Sequence, residues 1–212
     1  MKNNMETQQA QTELSVIKKI MEDSRRLNID NGIHYIFWGI LVTFSLLVNY
    51  TMLLNGTSGK YIGMMWMVTM ALGAITDVFI GRNQEKKSRV KTFAGKILGS
   101  LWFASGISMF MFGFIGTMTK AYNPVFICPI IATSLGISYF TSGAIQQIKW
   151  LQNISLGWWA GAILMFMFPS VHTLLIFAMM LICFQIIPGI ILNRKSKQDI
   201  STQTNNIIAE NI

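Results

Sequence analysis

Six blocks of apolar residues, each close to the length of a membrane-crossing helix, divide this chain: positions 33–54, 61–80, 97–118, 124–145, 154–171 and 173–192. A helix rises 1.5 Å per residue, so about twenty residues cross the ~30 Å hydrocarbon core of a bilayer. Only 12% of the residues are charged, where soluble domains carry about 25%. The sequence therefore predicts an all-α polytopic transmembrane helical bundle of six spans, with the lipid bilayer as its first partner.

The basic residues orient the bundle. Every Lys and Arg except Lys60 and Lys120 falls before the first block, between the second and third, between the fourth and fifth, or after the sixth. Cytoplasmic loops retain positive charge, so both termini are expected in the cytoplasm. Tyr35, Trp38, Trp150, Trp158 and Trp159 fall near the inner boundary, and Tyr50, Tyr61, Trp66 and Tyr122 near the outer one. Aromatic rings favour both headgroup zones, so interfacial anchoring is the expected role of these tryptophans. The net charge of +8 then reflects topology and attraction to anionic lipid, and nucleic-acid binding is not expected, since no basic-aromatic module lies outside the spans.

Three regions follow. Residues 1–32 form a cytoplasmic segment without the pattern of a cleaved leader, 33–192 the six-span domain, and 193–212 a polar tail whose composition predicts disorder. Cys128 and Cys183 both sit inside apolar blocks and are read as small packing residues.

Within the spans, "WFASGISMFMF" from Trp102 and "WWAGAILMFMF" from Trp158 share Trp, Ala, Ile and the closing Met-Phe-Met-Phe at an offset of 56. Both run in the same direction, which predicts three parallel hairpin repeats. Gly95 with Gly99, and Gly157 with Gly161, place small residues one turn apart, the spacing that lets membrane helices approach closely.

Outside the spans, Thr12 to Asn28 is the most regular stretch. At 100° per residue Leu14, Ile17 and Met21 gather on one side, while Lys18, Lys19, Glu22, Arg25 and Arg26 lie opposite. Such an amphipathic helix lies in the headgroup layer or docks on an apolar partner surface. Arg82, Lys86, Lys87, Arg89 and Lys91 form a basic loop on the same side.

Ionisable groups inside the spans are scarce. Asp77 lies near the inner end of the second, at a depth similar to His34, while Gln185 and Tyr139 reach somewhat deeper. These four are candidates for a polar pocket open to the cytoplasm. The competing expectation is that Asp77 pairs with Arg82 or Lys96 as structural glue. Pro188 brings no amide hydrogen to the carbonyl of Phe184, which predicts a kink beside Gln185. No catalytic set of Ser, His and Asp, no paired carboxylates and no metal-ligand cluster are found at matching depth, so neither an enzyme nor a cofactor or metal site is expected.

The stretch "IKKIMEDSRR" with the Asn-Gly and Trp-Gly pairs that follow it, "RVKT" before the third span and the closing "IIPGIILNRKSK" resemble a family of uncharacterised bacterial six-span inner-membrane proteins of this length. The resemblance covers nearly the whole chain. It implies an inner-membrane location and the same six-span plan, and it carries no catalytic residues. Members of that family often lie beside winged-helix regulators, which implies a regulatory setting. The readings that result are a non-enzymatic sensing, regulatory or scaffold protein with a cytoplasmic or membrane protein partner, and, as the alternative, a transporter of small or lipid-like solutes.

Overall fold

The computed structural model describes residues 13–15, 32–87 and 93–210, and among these the regular structure is entirely helical. α1 is Ile33–Leu54 and α2 is Gly59–Lys87. α3 runs Phe93–Phe110, continues through a π-helical turn at Met111–Ile115 and closes with Gly116–Met118. A 3-10 turn, Pro124–Phe126, leads into α4, Ile127–Gln146, and α5 is Lys149–Met167. α6 is interrupted: Thr173–Leu181, a π-helical turn at Ile182–Ile186, then Ile187–Glu210.

Five of these helices are long and apolar enough to cross a membrane, all but α5. The polar opening turns of α5, with Lys149, Gln152, Asn153 and Ser155, dilute its hydropathy. The helical backbone also carries on to Glu210 through the tail for which composition predicts disorder.

Local chemistry sets the turns. Asn123 caps the 3-10 turn through its side-chain oxygen, which accepts from the amide of Val125 at 3.1 Å, and Pro124 suits a first helical position. α4 ends with Gln147 in the left-handed region, its amide donating to Ala144 while that of Ile148 donates to Gly143. That pair of bonds satisfies carbonyls the helix would otherwise leave open.

The core lies among α1, α4, α5 and α6. In α5, Leu151, Ser155, Trp158, Ala162 and Met165 are all buried, a spacing that lines one helix face. They pack on the buried Ala132, Leu135 and Tyr139 of α4 and the buried Phe177 and Leu181 of α6. Gly157 and Gly161 do what their spacing predicts: a methyl group on either would press into Phe184 or Met180 of α6. Gly99 does not, because a Cβ there meets nothing within 4 Å.

α2 and α3 are peripheral. Only 6% of each spanning window is buried, against 44% in α4 and in α6. α2 rests on α1 where Gly73 faces Trp38 and Leu41. α3 is tied to α4 by the hydroxyls of Ser105 and Ser138, 2.8 Å apart. Their remaining surfaces, such as Met64, Val68, Leu72 and Phe79 on α2 and Phe103, Ile107 and Met111 on α3, are exposed. In a bilayer such apolar surface meets lipid at no cost.

Candidate functional site

The four residues predicted as a polar pocket converge on the first turn of α1. Asp77 meets His34 there, with Oδ1 2.6 Å from Nδ1 and about a third of each side chain exposed. His34 is thus the partner of Asp77 in place of the expected Arg82 or Lys96, both of which are exposed. One residue on, the carbonyl of Tyr35 accepts the side-chain amide of Gln185 at 3.4 Å. The ring of Tyr35 in turn lies 5.4 Å from that of Tyr139.

Rings fill the space that an open pocket would need. Trp102 meets Tyr35 edge-on at 5.2 Å and Tyr139 at 5.7 Å. Trp158 also packs on Tyr139, at 5.9 Å, and touches Phe177 and Phe184. Edge-to-face and tilted pairs at such separations are favourable beyond the area they bury. Trp158 is fully buried, so the interfacial role expected of it is corrected: it is a centre of the core. Trp102 and Trp158, the leading residues of the two look-alike stretches, contact the same tyrosine. Further along, Met109 and Met165 both turn inward, and Phe110 and Phe166 both turn outward.

Several buried polar atoms near this cluster have no protein partner: Oε1 of Gln185, Oγ of Ser142 and the indole nitrogens of Trp102 and Trp158. An unsatisfied group of this kind is costly away from water. The π-helical turn that carries Gln185 ends where the amide of Ile187 reaches back to the carbonyl of Ile182. Pro188 follows at once, and the departure from regular helix beside Gln185 is this widened turn.

The entry of the chain into this cluster is tightly specified. Gly32 caps α1 at φ 70°, a conformation costly for residues with a side chain. A Cβ on it would collide with the carbonyl oxygen of Gly189, and one on Gly189 would sit 3.0 Å from the carbonyl oxygen of Gly32. The two backbones cross with no room between them.

Of the predicted docking face, Leu14 is helical and exposed, while Ile17 and Met21 lie outside the described residues. In the basic stretch, Arg82 is exposed on α2 and Lys86 and Lys87 end that helix, while Arg89 and Lys91 lie outside the described residues. Cys128 is buried as expected, but Cys183 is exposed on α6, and both are free thiols. A groove of about 450 Å³ beside the α4–α5 turn is lined by Gly143, Ala144, Gln147, Lys149 and Gln152, none of them from the predicted pocket. Among the described residues no cluster of His, Cys, Asp or Glu could hold a metal ion.

The aromatic cluster was missed by residue-type reasoning. The shared Trp at the head of both look-alike stretches was its signal, together with the burial spacing of α5. Five long apolar helices around such a core define the class: a helical membrane protein. Compared with protein-family models, curated proteins and solved structures, the chain gives no match.

Proposed function

We propose that this chain is a six-span protein of the bacterial inner membrane, with both termini in the cytoplasm, that senses or regulates through its N-terminal amphipathic segment and the basic 82–91 stretch. It belongs, in this reading, with the six-span family that its closing motif resembles, and it performs no chemistry of its own. α5 is the sixth span: its nineteen residues measure about 28 Å at 1.5 Å per residue, and its buried face packs on both neighbours.

The observation that carries the reading is the Gly32–Gly189 crossing. It fixes Gly32 at the start of α1, whose first turn contacts α2 through His34 and α6 and the aromatic core through Tyr35. A rearrangement at that turn therefore acts at the point where the chain enters the bundle. The test is capture from native membranes in gentle detergent, comparing the full chain with one lacking residues 1–28 after equal insertion is verified. A protein retained only by the full chain supports the reading, and two bare preparations sink it.

The alternative is transport of small or lipid-like solutes, favoured by the buried polar atoms of Gln185, Ser142 and Trp158 that have no protein partner. It predicts solute uptake that Asp77→Asn impairs. Unchanged uptake in that variant removes the predicted pocket from the pathway.

A further inference from the structure

We draw no further inference here: the strongest candidate, the groove of about 450 Å³ beside the α4–α5 turn, offers an anion only the exposed Lys149 and the uncapped first turn of α5, and none of its lining side chains is both buried and unpartnered.

Discussion

His34 and Asp77 meet at 2.6 Å across the contact between α1 and α2, a polar tie between those helices. Interhelical hydrogen bonds in membranes contribute about 0.6 kcal/mol on average and up to about 1.7. A double-mutant cycle with His34→Ala and Asp77→Ala should return a coupling in that range, measured by unfolding in mixed micelles. Additive effects would mean that Asp77 has another principal partner.

Glycine substitutions should separate sharply by position. Gly32→Ala forces a methyl into the carbonyl of Gly189 at positive φ, and should destabilise by about 1–3 kcal/mol. Gly99→Ala meets open space in a helix interior and should be neutral or stabilising by up to about 1 kcal/mol. Thermal denaturation of the two variants in the same detergent checks the contrast.

Tyr122 donates its hydroxyl to the carbonyl of Phe112, inside the π-helical turn of α3, and burial pushes its phenol above the ordinary value. Tyr122→Phe keeps the ring but removes this bond, and should cost about 1 kcal/mol. Faster proteolysis of the α3–α4 connection would report the loosening. A variant as resistant as the parent would show that ring packing alone closes this end.

Trp158 contacts three other rings and is fully buried. Trp158→Ala should cost about 3–5 kcal/mol, and Trp102→Ala less, since Trp102 retains some exposure. Trp158→Phe should recover most of the loss. Detergent melting curves of the three variants give the order, and the reverse order would displace Trp158 from the centre of the core.

Topology can be read with an impermeant thiol reagent. In a chain without its native cysteines, Ser58→Cys and Ser170→Cys should label from outside intact inner-membrane spheroplasts, and Ser196→Cys only after permeabilisation. Protection of position 170 under the first condition would deny α5 its place as a span.

Helix positions were legible because lipid demands a fixed apolar length, and five of these helices supply it. The division into core and periphery was not. α2, α3 and α4 have the same mean hydropathy over their spanning windows, 1.6, yet 6%, 6% and 44% of those windows are buried. In water a solvent-facing side becomes polar and betrays itself; in a bilayer both sides are apolar, so periodicity fades. The cluster of Asp77, His34, Tyr139 and Gln185 was approachable through depth alone. Its actual contacts depend on helix rotation, which is why His34 took the place expected of Arg82 or Lys96. Trp158 was placed at the interface by residue type, whereas the spacing from Leu151 to Met165 already pointed inward.

The scant burial of α2 makes the solvent a structural component. With so little protein against it, most of what holds this helix upright is the thickness and order of the surrounding acyl chains. A short-chain detergent should therefore melt α2, and with it the equally unburied α3, before the other helices, and amide exchange would show that selective loss. Activity assays made in such a micelle would then probe a different molecule from the one in the cell.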